Sequence, residues 1–195
     1  MLSKSELDKL RQDIIVQSNM REVPLTLHST WGIFSPREID EGTELLLKYI
    51  EIQEDDDCLD LGCGYGPIGL TLAKLAPLGH TTLVDRDFIA IEYANKNIQL
   101  NNIPNAEALL SNGFAQVRER KFDIVVSNIP AKVGNEMLSL FLHDAWQQLK
   151  PGGRFYIVTI NGLREYMKRN FKAVFGNYKK CKQGKNYTVA MAYKD

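Results

Sequence analysis

Residues 60–69 read Asp-Leu-Gly-Cys-Gly-Tyr-Gly-Pro-Ile-Gly, and they are the most informative part of the chain. Residues 57–61, which lead into this stretch, predict a short buried strand. Pro67 and the apolar residues that follow it predict the start of a helix. Glycines in such a loop permit positive φ angles and let a ligand approach the backbone. The helix start adds unpaired N–H groups. The stretch therefore predicts a strand-loop-helix turn that binds a nucleotide-like ligand.

The charges around this loop narrow the choice of ligand. The spacing Gly64-x-Gly66-x-x-Gly69 also satisfies the dinucleotide fingerprint, but Asp60 at the strand end would repel a pyrophosphate. S-adenosylmethionine (SAM) has no phosphate, and its ammonium and sulfonium are attracted by a carboxylate. Asp85 ends the next apolar strand about twenty residues beyond the glycines, where an acid binds ribose hydroxyls. We therefore expect SAM as the cofactor, held by these residues: Asp60, Gly62, Cys63, Gly64, Gly66 and Asp85.

Composition limits the class of protein further. A chain of 195 residues with 44% hydrophobic content suits one α/β domain with a short extension. The sequence has no apolar run long enough to span a bilayer and no signal-peptide core, so we expect a cytoplasmic protein that does not engage a membrane. Its three cysteines, at 58, 63 and 181, form no CxxC pair, which predicts free thiols and no metal site.

The formal net charge of zero conceals an uneven distribution of charge. Residues 38–60 hold ten acids against one lysine, whereas residues 164–195 hold nine bases against two acids. This basic C-terminal segment would attract a phosphate backbone. The alternative is a solvated helix face beside a charged edge strand, and both interpretations stay open on charge alone.

From residue 57 onward, strand and helix patterns alternate, which is the signature of a parallel, doubly wound sheet. After the glycine loop we expect strands at 81–85, 106–110, 122–127 and 154–160, and helices at 88–100, 136–149 and near 163–171. Two final strand-like runs, 178–182 and 187–193, are joined by the hairpin signal Gln183-Gly184-Lys185-Asn186. The sequence thus predicts an α/β, Rossmann-like class I methyltransferase fold: a mostly parallel seven-stranded sheet with a C-terminal antiparallel hairpin.

The first 50 residues are expected to form a cover within the same domain, and residues 51–195 the SAM-dependent methyltransferase domain itself. The cover would contain an alternating segment at 23–28 and a helix through 39–50. Its first helix would begin near Ser5 and turn these apolar side chains inward: Leu7, Leu10, Ile14 and Ile15.

A second motif, Ser127-Asn128-Ile129-Pro130-Ala131-Lys132, leaves the sheet at the carboxyl end of the strand 122–127, where open α/β sheets bind ligands. With this motif, the chain resembles the small-domain methyltransferase family, whose members include ribosomal RNA guanine-N2 methyltransferases and stand-alone archaeal relatives. The resemblance covers most of the chain beyond residue 30. It is carried by residues 60–69, Asp85, Asn101-Asn102, Asn128 with Pro130, Gly32-Ile33-Phe34-Ser35 and 40–47.

The resemblance implies how the acceptor is held. In that family the Asn oxygen and a following backbone carbonyl accept the two protons of an exocyclic amino group, which aligns the nitrogen with the sulfonium methyl. Asn128 and the carbonyl of Ile129 would fill these roles, with Pro130 organising the loop. This chain departs from the usual Asn-Pro-Pro-aromatic pattern, since Ile129 replaces the first proline and Ala131 replaces the aromatic residue.

The resemblance also implies further cofactor contacts. Asn112, after the strand 106–110, would meet the adenine edge, and Arg86 would line the same edge. Asn128 is expected to contact the cofactor as well as the acceptor, and Phe34 would close the pocket from the cover.

The leading interpretation is a SAM-dependent methyltransferase that modifies an exocyclic amino group of a nucleobase in RNA, with guanine N2 of rRNA as the first candidate. The basic C-terminal segment would hold the RNA, and the protein would be a monomer or a homodimer. Two alternatives stay open: a protein amide or small-molecule amine as the acceptor, and a non-catalytic SAM-binding or RNA-binding module. A dinucleotide oxidoreductase is disfavoured, because no hydride-transfer acid accompanies the glycines.

Overall fold

The computed structural model describes residues 2–129 and 133–195. The strands are β1 (Ile14–Met20), β2 (Val23–Ser29), β3 (Cys58–Leu61), β4 (Thr81–Asp85), β5 (Ala106–Leu110), β6 (Phe122–Asn128), β7 (Leu149–Ile160), β8 (Lys179–Gln183) and β9 (Tyr187–Tyr193). The helices are α1 (Lys4–Leu10), α2 (Glu41–Tyr49), α3 (Pro67–Leu75), α4 (Phe88–Leu100), α5 (Asn135–Gln148) and α6 (Arg164–Phe175). None of these helices is long and apolar enough to cross a membrane.

Seven strands form the main sheet in the order β5-β4-β3-β6-β7-β9-β8. The first five of these pair in parallel, and β9 runs antiparallel to both β7 and β8. The predicted mostly parallel sheet with an antiparallel C-terminal hairpin is therefore confirmed. Strand order reverses at β3, whose neighbours are β4 and β6, and such a switch point opens a crevice at the carboxyl ends of the strands.

Helices cover both faces of this sheet, which is why its central strands are apolar on both sides. Along β6, Ile124 and Val126 face the layer that contains α2 and α3, whereas Val125 faces the layer that contains α5 and α6. In the second layer, Phe155 and Phe171 meet edge to face with ring centroids 5.6 Å apart.

The start of the chain differs from the prediction. Helix α1 ends at Leu10, all of its residues are exposed, and Ile14 already begins a strand. Strand β1 pairs antiparallel with β2 through a two-residue turn in which Arg21 and Glu22 adopt φ angles of 52° and 63°. The predicted inward-facing helix through Ile15 is therefore wrong, because the β-branched run 14–16 favours a strand.

Two asparagines, one on α4 and one at its C-cap, join the β1-β2 hairpin to the rest of the domain. Asn97 accepts the N–H of His28 (2.7 Å) and donates to the carbonyls of His28 and Tyr65 (2.9 Å each). One turn later, Asn101 accepts the N–H of Thr26 (3.0 Å) and donates to its carbonyl (2.9 Å). The two side chains thus satisfy the free edge of β2, and Asn97 also ties it to the glycine loop.

We expect Asn97→Ala to lower the free energy of unfolding by about 2–4 kcal/mol, because it leaves several buried backbone groups without hydrogen-bond partners. Urea denaturation measures this change. Asn101→Ala breaks similar bonds at a half-buried position where water replaces them, so its effect should be smaller. Equal losses for the two variants would contradict this account of burial.

Candidate active site

A cavity of about 490 Å³ opens where the carboxyl ends of β3, β4, β5 and β6 meet, a volume that suits a nucleoside-sized ligand. Its floor is the glycine loop, and its sides are the segments that follow β4, β5 and β6. Helix α5 contributes apolar side chains, and the N-terminal cover contributes Ile33 and Phe34. The predicted site residues that line the cavity are Gly62, Cys63, Gly64, Asp85, Arg86, Asn112, Asn128 and Ile129.

The glycine loop takes its shape from contacts on both of its sides. Gly64 adopts a φ of 55°, and its N–H donates to Asp85 Oδ2 at 2.9 Å, which ties the loop to the end of β4. Gly69 serves close packing instead, since a Cβ there would lie 2.5 Å from Leu83 Cγ. Gly66 is the N-cap of α3 and does not line the cavity, so it shapes the loop from behind.

Asp60 lies behind the loop rather than in the cavity wall. Its side chain is fully buried, and its Oδ2 accepts the N–H of Gly69 at 2.7 Å. Its Oδ1 has no hydrogen-bond donor in the part of the chain that the structure describes. Burial raises the pKa of Asp60 to about 7, and the charge of nearby Asp85 adds to the rise against the effect of the Gly69 hydrogen bond. Its influence on a ligand in the cavity is therefore electrostatic.

Asp85 is the acid that faces the cavity directly. One carboxylate oxygen accepts the N–H of Gly64, and the other accepts the N–H of Asp87 at 3.0 Å. Asp87 in turn is the N-cap of α4, with its own side chain bound to the N–H of Ile89. The Asp85 carboxylate is thus held in one orientation by backbone donors and keeps lone pairs for a ligand.

Asn128 ends β6 on the opposite side of the loop. Its Nδ2 donates to Asp40 Oδ2 at 2.9 Å and to Thr43 Oγ1 at 3.1 Å. Ile129 follows with its side chain buried, and its N–H donates to the carbonyl of Val158 at 3.0 Å. Pro130 and Ala131 lie outside the described residues, so the roles predicted for them stay predictions.

The N-terminal cover is fixed to the glycine loop by one tyrosine. Tyr65 is buried, and its hydroxyl donates to the carbonyls of Ser35 (3.2 Å) and Glu38 (3.4 Å). Burial raises the pKa of Tyr65 to about 12, so it is a neutral donor. Phe34 lines the cavity while 62% of its surface is exposed, which places it at the rim rather than inside.

Several lining residues were not found from the sequence. Met137 and Phe141 lie one turn apart on α5 and form an apolar wall, while Tyr187 comes from β9. The i, i+4 spacing on α5 is a signal for a shared face, but it does not say that the face borders a cavity. Tyr187 has no local signal, because only the antiparallel pairing of β9 with β7 brings it to this edge.

The sequence model of one protein family, the methyltransferase small domain, matches residues 24–191. The chain belongs to this family. The match contains all but the first residue of β2, the glycine loop, Asn128, β8 and most of β9, so the predicted resemblance is confirmed.

Among curated relatives, ribosomal RNA small subunit methyltransferase C of Haemophilus influenzae (strain PittGG) is 37% identical over 140 residues, which are 69% of this chain and 42% of that protein. The protein YbxB of Bacillus subtilis is 33% identical over 141 residues, 71% of this chain and 70% of its own length.

Solved structures give the same picture of the fold. The 16S rRNA N2 methyltransferase RsmC of T. thermophilus, in complex with AdoMet and guanosine, superposes with a TM-score of 0.84 at 27% identity. The match covers 94% of this chain and 51% of that one, so the chain spans about half the length of this relative. A methyltransferase from Pyrococcus furiosus, at 22% identity and a TM-score of 0.70, shares the fold over 87% of this chain and 89% of its own.

The burial of Asp60 predicts a pH dependence of stability. Its pKa in the folded state, about 7, lies above the ordinary value of 3.8. The folded state therefore keeps a proton that the unfolded state releases between these values, so stability falls as pH rises from about 4 to 7. Asp60→Asn cannot ionise, and we expect it to gain stability relative to the wild type over this range, by a few kcal/mol at most.

Thermal denaturation at about pH 4.5, 5.5 and 6.5, three values inside this window, measures the difference. Asp55→Asn, which neutralises an exposed acid in the loop before β3, controls for the loss of one negative charge. A constant difference between Asp60→Asn and the wild type across the three pH values would contradict the raised pKa.

Proposed function

We propose that this chain is a SAM-dependent methyltransferase that modifies an exocyclic amino group of a nucleobase in RNA, with guanine N2 of rRNA as the first candidate. The observation that carries the proposal is the placement of Gly64, Asp85 and Asn128 on the walls of one cavity. A loop and acid that suit SAM thus face an amide that suits an amino group. The T. thermophilus relative, a 16S rRNA N2 methyltransferase in complex with AdoMet and guanosine, supports both halves of the proposal.

The residues present fit SAM. A Cβ built on Gly62 would meet no atom of the described residues within 4 Å, so the loop leaves open space for a ligand. Asp85 would bind the ribose hydroxyls, while Asn112 and Arg86 would border the adenine. The carboxylate of Asp85 makes the potential at the loop negative, and Asp60 adds to it when ionised, which favours a cationic cofactor and disfavours a pyrophosphate. When bound, SAM supplies an electrophilic methyl group on its sulfonium.

The chain's own contribution to the reaction is then positioning. Asn128 Oδ1 and the carbonyl of Ile129 would accept the two amino protons and aim the nitrogen lone pair at the methyl group. Met137 and Phe141 would pack against the face of the base, as apolar and aromatic side chains do with bases displaced from a strand. Cofactor and acceptor would occupy neighbouring parts of one cavity.

The basic C-terminal segment lies beside this cavity at one point. Asn161 follows β7, whose last residue Ile160 lines the cavity, and its Nδ2 donates to the carbonyls of Gly184 (3.2 Å) and Lys185 (2.8 Å). The hairpin turn that carries Lys185 is thereby held next to the site. We propose that this turn, with Arg164 at the start of α6, contacts the RNA backbone. The protein would encounter such an RNA substrate in the cytoplasm, which is where we propose that it acts.

The proposal is tested by incubating the protein with radiolabelled SAM and rRNA that lacks its natural modifications, then identifying the labelled nucleoside. We expect N2-methylguanosine. If free rRNA is not labelled, small subunits assembled from that rRNA are the second substrate. Binding of SAM without label in either substrate would overturn the proposal in favour of a non-catalytic module, and label in protein or in small amines would favour the alternative acceptor.

Asn128→Ala should lower kcat by roughly a hundredfold or more while the Kd for SAM stays within about twofold, because the amide oxygen contacts the acceptor. Asp85→Ala is the opposite variant: it should weaken SAM binding, by a few kcal/mol at most, since it removes charged hydrogen bonds to the ribose. Calorimetry and single-turnover methylation separate the two effects. An equal loss of SAM affinity in both variants would assign Asn128 to the cofactor.

Lys185→Glu should raise the KM for RNA and reduce the dependence of log Kd on log salt by about one unit or more, because a phosphate contact is lost. Lys9→Glu, on the exposed helix α1, makes the same charge change away from the cavity and should leave both quantities nearly unchanged. Identical effects of the two reversals would point to net charge alone rather than to a contact at the turn.

A further inference from the structure

Asp40 brings together three separate parts of the chain beside the cavity. Its Oδ2 accepts the N–H groups of Gly42 (2.9 Å) and Thr43 (3.2 Å), which makes it the N-cap of α2. The same oxygen accepts Asn128 Nδ2 at 2.9 Å, across 88 positions of sequence. Its Oδ1 accepts the hydroxyl of Tyr187 at 3.1 Å. A helix cap needs only the first two contacts, so the others call for a separate reason.

We propose that Asp40 is a positioning residue that fixes the orientation of the Asn128 carboxamide, and so makes the site accept amino groups and reject carbonyl groups. This inference rests on the proposed function, in which Asn128 holds the acceptor.

The chemistry of the two ends of the amide carries the argument. The NH2 and the carbonyl oxygen of an asparagine have nearly the same shape, so a free carboxamide can present either one. A carboxylate has no proton to donate and only accepts hydrogen bonds. Asp40 therefore selects the orientation in which Nδ2 of Asn128 faces it through a charge-assisted bond. The flipped amide would place Oδ1 against a negative charge.

Thr43 cannot make this selection, although its Oγ1 also lies 3.1 Å from Asn128 Nδ2. A hydroxyl both donates and accepts, so it tolerates either orientation of the amide. The carboxylate of Asp40 is thus the group that decides which end of Asn128 is left for the cavity.

Asp40 is itself held rigidly. Helix α2, which it caps, is anchored by Leu46 and Leu47, whose side chains are fully buried. Gly42 leaves room for the arrangement, since a Cβ there would lie 2.8 Å from Asp40 Oδ2 and 3.1 Å from the ring of Tyr187. The orientation of the amide is therefore set by the core and does not depend on the substrate.

The consequence is selectivity among positions of a base. With Nδ2 engaged by Asp40, Asn128 offers an acceptor oxygen to the cavity. An exocyclic amino group donates to that oxygen, whereas a carbonyl at the same place would meet it oxygen to oxygen. The same carboxylate that starts α2 would thus favour amino-bearing bases at the reacting position.

The decisive variant is Asp40→Ser. Serine still caps a helix, but its hydroxyl donates as well as accepts, so it does not select one orientation of the Asn128 amide. We expect kcat on the RNA substrate to fall roughly ten- to hundredfold, as misplacement of a reacting group does, with SAM affinity nearly unchanged. Tm should fall by only a few degrees, because the helix cap is kept while the bond to Tyr187 is lost. Asp40→Asn can still present an oxygen to both the helix and Asn128 and should retain most of the activity. Glu44→Ser removes another exposed charge from the first turn of α2 without touching these contacts and should behave as the wild type.

A double-mutant cycle separates positioning from a general structural role. In the Asn128→Ala background, Asp40→Ser should cause no further loss of kcat, because there is no amide left to orient. A further loss of the same size as in the wild-type background would overturn the inference.

A readout without substrate keeps this inference distinct from the proposed function. In 15N-labelled protein, the side-chain NH2 signals of Asn128 are assigned by their absence in Asn128→Ala. Asp40→Ser should speed their exchange with water severalfold, since a charge-assisted bond is lost. Unchanged exchange would overturn the orientation by Asp40. Wild-type protein that methylates no RNA would instead overturn the proposed function and leave this result standing.

Discussion

The site depends on the parallel register of three strands. Asp60 in β3 is aligned with Leu83 in β4 and with Val126 in β6. The two neighbours each run two residues further, so Asp85 and Asn128 stand on either side of the glycine loop at the same height. Beyond the last backbone pair, the buried hydroxyl of Ser127 donates to the carbonyl of Leu61 at 2.7 Å. A slip of one residue would turn either side chain to the other face of the sheet.

This arrangement places two carboxylates close together at a cost to the folded state. Asp60 is buried without a cationic partner among the described residues, and burial together with the Asp85 charge raises its pKa. A sequence selected for stability alone would place a neutral residue here. Local conflicts of this kind occur at functional sites, where a ligand supplies the missing charge. A cationic ligand in the cavity would offset part of this electrostatic cost.

The sequence predicted the elements whose signals are local. The glycine loop, Asp85 and Asn128 each follow an apolar strand, and parallel strands must end at one edge, so their meeting could be expected. The β1-β2 hairpin was missed, because Leu7, Leu10 and Ile14 mimic a helical period and because the turn at Arg21 has neither glycine nor asparagine to mark it. Asp60 was expected in the binding site, but its side chain is fully buried behind the loop. The local sequence gives no sign of this burial.

The contact between Asp40 and Asn128 is one that local sequence patterns cannot predict. That Asp40 begins a helix can be read from the apolar run behind it, and that Asn128 ends a strand can be read as well. Their contact requires α2 to pack beside β6, which is a property of the whole fold. In the packed structure, the Asp40 carboxylate both caps α2 and orients the Asn128 amide. The stability of α2 and the chemistry of the cavity therefore both depend on one oxygen atom, Asp40 Oδ2. A substitution there that preserves the helix cap need not preserve the site.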